Sequence, residues 1–365
     1  MVSLTAMQIA ARGLIMEASM RHAGQGNEEP SMRTRFDAPI VAIAITLVAV
    51  VLAMVPARGE AQTGSGRGQD VLRTPWGDPD LQGVWDFRTI TPLERPSEMA
   101  GKSVLTAEEA AAFEQQLLDA QDKDRRASDG ISAQRDVSNA YNQFWWDYGD
   151  SLTDDKRTSL VIDPPDGRVP RKQGGGALRA AFGRAEPAGP EDRPLWERCI
   201  IGFNAGPPML PSAYNNNVQL FQTPGHIAIL NEMVHNARLI PLDRDPSPPA
   251  EIRQYGGQPR ARWEGDTLVV ESASFLRETG FTGASSELHL IERFTRVNDD
   301  RLLYEFTVED ATAFTAPWTA AIPMKRSDMP LFEYACHEGN YGMTNLLAGA
   351  RSVEQTANAG SGSTR

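Results

Sequence analysis

Beyond residue 61 the chain carries four histidines, His226, His235, His289 and His337, each on or beside a segment of alternating polarity. Imidazole titrates near neutrality, so a histidine beside a carboxylate is the natural seat of acid–base chemistry. His235 ends the run Asn231-Glu232-Met-Val-His235. Glu-x-x-His puts both groups on one face of a helix but on opposite faces of a strand, so Glu232 and His235 act together only where a strand ends or bulges between them. In strand phase Ile227, Ile229, Asn231, Met233 and His235 share a face. Three of these are apolar, which turns the face inward and takes Asn231 and His235 with it, and a buried amide needs partners. His289 shares a face with Ile291, Arg293 and Thr295, while Glu292 lies with Leu288, Leu290 and Phe294. If the Leu/Phe face is interior, Glu292 is a buried carboxylate that must be paired or raised in pKa; in the opposite case Arg293 is the buried charge. His337-Glu338-Gly-Asn340-Tyr341 follows the last alternating segment and reads as a turn carrying polar groups.

Two chemistries follow from this set. His235, His289 and His337 with Glu232 or Glu292 could serve hydrolysis, hydration, elimination or isomerisation of a small organic molecule, given hydrogen-bond reach and a cavity that excludes water. Three imidazoles and a carboxylate also suit a divalent metal, Zn²⁺ or Fe²⁺, although separations of 54 and 48 residues form no local ligand motif. Beside these stands the plainer expectation that a lone strand histidine is a satisfied core residue. Asn231, Asn217, Arg262, Trp263, Arg293 and Tyr341 are the candidate ligand contacts. The run Tyr214-Asn-Asn-Asn217 also suits a tight turn, and Arg262-Trp263 and the segment YNQFWWDY (141–148) also suit core or lid packing.

The elements that must position these groups change character along the chain. Ile40 to Val55 is an apolar run of 16 residues, preceded by Arg33 and Arg35 and followed by Pro56, Ala57, Gly59 and Ala61. Charged, apolar and small residues in that order read as a secretory signal peptide over about 32–61, with residues 1–31 as an over-extended start or a long charged region. The run is short for a membrane span, so no stable span is expected after cleavage, a retained anchor being the alternative. A periplasmic or secreted location follows, and a polar linker over 62–75. Thr106-Ala-Glu-Glu109 is a capping box that opens a helix to about Ala127, and Asp163–Pro194 is rich in Pro, Gly and Arg. From Val218 the period becomes two, over 218–223, 226–235, 237–242, 261–264, 266–275, 288–297, 301–310, 317–326 and 331–338, with turn signals such as Pro224-Gly225 and Asn298-Asp299-Asp300. The expected fold is mainly β: an antiparallel meander over 76–350 that closes on itself because open edges are hazardous, with a helical and irregular insertion at about 100–200 and a disordered tail over 351–365.

Composition bounds the partners. The chain has 365 residues, 36 basic and 48 acidic, for a net charge of -12. It lacks the basic face that nucleic-acid binding needs. No phosphate loop, nucleophile elbow or HExxH motif is present. Cys199 and Cys336 are the only cysteines, and in an oxidising compartment they form a long-range disulfide, with buried reduced thiols as the alternative. A nucleophilic Cys336 served by His337 is disfavoured, since adjacent strand residues point to opposite faces.

Two resemblances add to this. Gly83-Val-Trp85 on a first strand (LQGVWDFR, 81–88), ahead of a late meander, resembles the G-x-W start of lipocalin-like (calycin) barrels. FNAGPPMLPSAYNNNVQ (203–219), ILNEMVHNAR (229–238), RWEGDTLVVES (262–272), LHLIERFTRV (288–297) and Phe332-Glu-Tyr-Ala-Cys-His-Glu-Gly-Asn-Tyr341 resemble a widespread family of secreted bacterial proteins over about residues 76–350. That resemblance implies an exported, single-unit β-rich protein and brings no catalytic residues. Three functions remain: an acid–base barrel enzyme with no cofactor, a His-rich metal enzyme, and a non-catalytic small-molecule binder. The first ranks ahead on the number of ionisable groups in the strands.

Overall fold

The computed structural model describes residues 72–361, apart from 127–129, 131, 133–135, 137–141, 173–188, 243–247, 277–280, 282 and 339. The signal segment, the start before it and most of the linker lie outside the described residues. Ten strands form one antiparallel sheet: β1 Gly83–Asp86, β2 Val161–Asp163, β3 Asn217–Thr223, β4 His226–Asn231, β5 Ala237–Pro241, β6 Gln258–Glu264, β7 Thr267–Ala273, β8 His289–Asn298, β9 Arg301–Glu309 and β10 Trp318–Ser327. Nine run in the order β5-β4-β3-β1-β10-β9-β8-β7-β6, and β2 pairs with β10 outside that path.

Alternating polarity builds these strands. In β8 and β9 every second residue is buried, so Leu290, Glu292, Phe294 and Arg296 face inward with Leu302, Tyr304, Phe306 and Val308. The Leu/Phe face of β8 is therefore the interior one. Glu292 goes into the core, and His289 and Arg293 go to the outer face. Trp85, Phe294, Tyr304, Phe306 and Trp318 fill the centre, with Phe294 and Tyr304 at 4.9 Å and Phe306 and Trp318 at 5.7 Å between ring centroids. The sheet is strongly curled. Arg238 on β5 bonds Glu292 on β8 directly, although five strands separate them along the sheet. The ladder does not run on between β5 and β6, where a single parallel bridge joins Leu242 to Ala261.

Gly83 has φ +135, a conformation an L side chain resists, at the point where the chain turns into β1. Trp85 follows it, fully buried, its indole donating to the Leu81 carbonyl at 2.9 Å. The Arg296 and Arg326 guanidiniums lie 5.7 and 5.9 Å from its ring.

Helix α1, Ala107–Gln121, starts on the expected capping box, with Thr106 and Glu109 bonded reciprocally. Its Ala110 and Phe113 pack with Ile90, Leu105 and Leu152 in a small second core. Two sequence expectations differ from the fold. Residues 331–338 make no strand, although their alternation suggests one; they form an irregular strap held by the disulfide and by side-chain contacts. Tyr341–Ser361 is a helix, α2, where a disordered tail was expected from 351. Asn340 bonds its first turn, and the helix formers Leu346, Leu347, Ala348 and Ala350 carry it on.

Candidate functional site: an aromatic pocket at the mouth of the sheet

The segment 195–214 supplies most of the lining of a half-open pocket of about 450 Å³. Trp146, Trp196, Phe203, Tyr214 and Phe281 supply aromatic walls, and Ile201, Pro207, Pro208 and Leu210 apolar ones. The rings support one another. Phe203 meets Trp196 edge-on at 6.3 Å and Tyr214 at 5.5 Å, and Tyr334 of the strap stacks on Tyr214 at 6.3 Å. Close packing sets the loop's path: a Cβ on Gly202 would sit 2.1 Å from Met233 Cγ, and Gly206 has φ +70.

Asparagines hold this loop. Asn216 is fully buried and uses its whole amide: Nδ2 donates to the carbonyls of Asp147 (2.9 Å) and Ser212 (2.8 Å), and Oδ1 accepts from Ser212 N (2.8 Å) and Asn204 Nδ2 (3.1 Å). Asn204 Nδ2 also donates to the Tyr214 carbonyl at 3.0 Å. The asparagine run is thus scaffolding at Asn216, while Asn217 donates to Glu232 Oε2 at 2.7 Å. Glu232 is buried, and its Oε1 accepts from Phe332 N at 3.2 Å. Its carboxylate pins the strap to the end of β3 and β4.

The remaining sequence candidates scatter. β4 ends at Asn231, and Met233–His235 form a 3-10 turn in which Val234 (φ 58) and His235 (φ 42) adopt left-handed backbone. That turn breaks the strand phase and leaves His235 exposed, away from the inward face expected for it. Asn231 does face inward and is buried, with neither amide atom partnered among the described residues. His289 lies on the outer face, its Nδ1 2.9 Å from Glu309 and its Nε2 3.8 Å from Glu271. Arg262 and Arg293 stand on the same surface: Arg262 bonds Glu264 (2.6 Å) and Glu271 (2.5 Å), and Arg293 bonds Glu264 (2.7 Å). Hydrogen bonds from Arg293 and then Arg262 hold the Glu264 carboxyl below its ordinary range. Trp263 is half-buried against the core, and His337 and Tyr341 are exposed. None of His235, His289 and His337 belongs to the described lining of the aromatic pocket. Nor do three His, Cys, Asp or Glu side chains among the described residues group in a way that could hold a metal ion.

What the strands do bury is a charged network. Arg238 grips Glu292 in a fork, Nη1 to Oε1 at 3.0 Å and Nη2 to Oε2 at 2.5 Å, and the Tyr304 hydroxyl donates to Oε1 at 2.8 Å. Met209 N donates to the same hydroxyl at 3.1 Å, tying the pocket loop to the core. Burial works against the Arg238 charge, but the Glu292 carboxylate outweighs it and holds the guanidinium above its ordinary value. Burial and the Glu292 charge push the Tyr304 phenol well above its own, so it stays a proton donor. Arg238 and Tyr304 escaped sequence reasoning because the pairing of β5 with β8 across the interior has no local signature. The aromatic pocket did leave a signal, the Gly/Pro/aromatic density of 203–214.

Asp310 positions the far wall. It is buried, and its Oδ2 accepts from Ser285 N at 2.6 Å and its Oδ1 from Thr312 N at 2.9 Å, holding the turn after Phe281. Burial raises its pKa, but the hydrogen bonds from Thr312 and Ser285 outweigh that and leave it below its ordinary value. A carboxyl depressed on folding stabilises above its unfolded pKa of about 4 and loses that contribution as pH falls through the folded value. Asp310→Asn is expected to cost about 1–3 kcal/mol at pH 7. Urea unfolding of wild type and variant should show a gap at pH 7 that narrows near pH 3; a gap independent of pH would remove the carboxylate from the explanation.

No protein-family model matches the chain, and no curated protein matches it.

Proposed function

We propose that this is an exported, non-catalytic binding protein for a small hydrophobic molecule, with its ligand seated in the aromatic pocket. The observation that carries the reading is the pocket itself: about 450 Å³, within the size range of small-molecule sites, walled by aromatic and apolar side chains, with no histidine and no carboxylate among its described lining residues. The acid–base alternative has less support, because His289 and its two carboxylates lie on a solvated outer surface where water is not excluded. Export is supported by the signal-like segment 32–61 and by the Cys199–Cys336 disulfide, which suits an oxidising compartment. A lipocalin-like closure of the sheet is supported by the Arg238–Glu292 contact and the Leu242–Ala261 bridge. The motif Phe203–Gln219, which resembles the secreted bacterial family, supplies Phe203, Pro207, Pro208, Leu210 and Tyr214 to the pocket lining.

The test uses N-phenyl-1-naphthylamine, a neutral aromatic probe whose emission rises in apolar surroundings. Wild type should bind it saturably, and Phe203→Ala and Trp196→Ala should each weaken binding roughly tenfold or more, as loss of a buried aromatic anchor does. His289→Ala should bind like wild type. Absence of saturable binding, or undiminished wild-type affinity in both pocket variants, would overturn the reading.

A further inference from the structure

A second cavity, of about 530 Å³, lies beside the aromatic pocket, and Ile201 belongs to the lining of both. Its described lining includes two arginines, Arg238 and Arg253, with Gln254 and Tyr255, and no acidic side chain. The Arg238 guanidinium is spent on buried Glu292 through Nη1 and Nη2, which leaves Arg253 as the cationic group facing the cavity. Arg253 Nη1 donates to the carbonyls of Phe275 (3.0 Å) and Ser286 (2.7 Å), which orient the group without neutralising it. The carboxylate near it is Glu287, at 3.5 Å and 64% exposed, too solvated to cancel the charge. The Arg253 guanidinium, oriented by those carbonyls at the wall of the cavity, can offer an oxyanion its remaining N–H groups.

We infer that the ligand is an amphiphilic anion whose aromatic body fills the pocket and whose carboxylate or sulfonate-type head sits in the adjoining arginine-lined cavity. This rests on the aromatic pocket being the binding site. The apolar body supplies affinity through burial, and the anionic head supplies orientation and selectivity.

The test compares N-phenyl-1-naphthylamine with 1-anilinonaphthalene-8-sulfonate, which has the same aromatic body and one added sulfonate. Wild type should bind the sulfonate roughly tenfold tighter, and the advantage should shrink as salt is raised. Leu239 lines the cavity at 67% exposure, so Leu239→Glu places a carboxylate there without disturbing the core. It should abolish the advantage and leave the neutral probe unaffected. Arg253→Gln should do the same, and Arg253→Lys should restore most of it. Equal affinities in wild type, or a sulfonate affinity indifferent to Leu239→Glu, would overturn the anionic head while the pocket stands. If neither probe binds, the pocket reading falls and this inference with it.

Discussion

Glu292→Ala is expected to lower the unfolding free energy by about 3–5 kcal/mol. The reason is not the strength of the ion pair but what its loss leaves behind. Arg238 is 7% exposed and Glu292 fully buried, so removing the carboxylate strands a guanidinium where water cannot solvate it. It also takes the acceptor from the Tyr304 hydroxyl, which Met209 N uses in turn, so the disturbance reaches the pocket loop. Replacing both charges with apolar residues of similar size, as in Arg238→Met with Glu292→Leu, should cost much less, because no charge is then left unpaired. Tyr304→Phe should cost only about 1 kcal/mol, the net value of one hydrogen bond. Urea unfolding of the four proteins at pH 7 decides the matter. If the double variant is as unstable as Glu292→Ala, shape rather than charge is what the core requires there.

Opening the Cys199–Cys336 bridge should have a comparable effect, about 3–5 kcal/mol by loop-closure entropy for residues 137 apart in sequence. The bridge also has a local task. It anchors the loop that carries Ile201, Gly202 and Phe203 to the strap that carries Tyr334, and Asn340 Nδ2 donates to the Glu197 carbonyl at 3.1 Å beside it. Cys199→Ser with Cys336→Ser should therefore unfold at lower urea and bind N-phenyl-1-naphthylamine more weakly than wild type. Wild type treated with reductant should behave like the double variant, and the variant should ignore reductant. A reduced protein with undiminished probe affinity would show that the strap is not needed to keep the aromatic wall in place.

The antiparallel core is legible in the sequence because a buried face on every second residue is a strong, short-range pattern: β3, β4, β5, β7, β8, β9 and β10 fall within a few residues of the alternating runs. Where that pattern stops carrying information, expectation and fold part. His235 leaves the inward face because two left-handed residues follow β4, and a β-branched valine in such a conformation is announced by no local propensity. The strap at 331–338 alternates like a strand but takes its hold from the disulfide and the Glu232 carboxylate rather than from a ladder. Glu292 was legible as a buried carboxylate conditional on one face of β8 being interior. Its partner Arg238 was not, because their meeting depends on the curl of the whole sheet. Among the site residues, Asn217, Glu232 and Asn231 are near the pocket loop or the core beneath it, yet the hydrogen bonds of the first two are scaffolding. The pocket's own rings, Trp196, Phe203 and Tyr214, are aromatic and therefore look like core in one dimension.

The most direct test uses the indole N–H resonances of the seven tryptophans, assigned by single Trp→Phe replacements and followed as N-phenyl-1-naphthylamine is added. Trp146 and Trp196 line the aromatic pocket, and Trp85 and Trp318 lie buried in the sheet interior. Binding at the mouth should shift the signals of Trp146 and Trp196 and leave those of Trp85 and Trp318 in place. Shifts confined to Trp85 and Trp318, or no shift in any indole at saturating probe, would contradict the aromatic pocket as the ligand site.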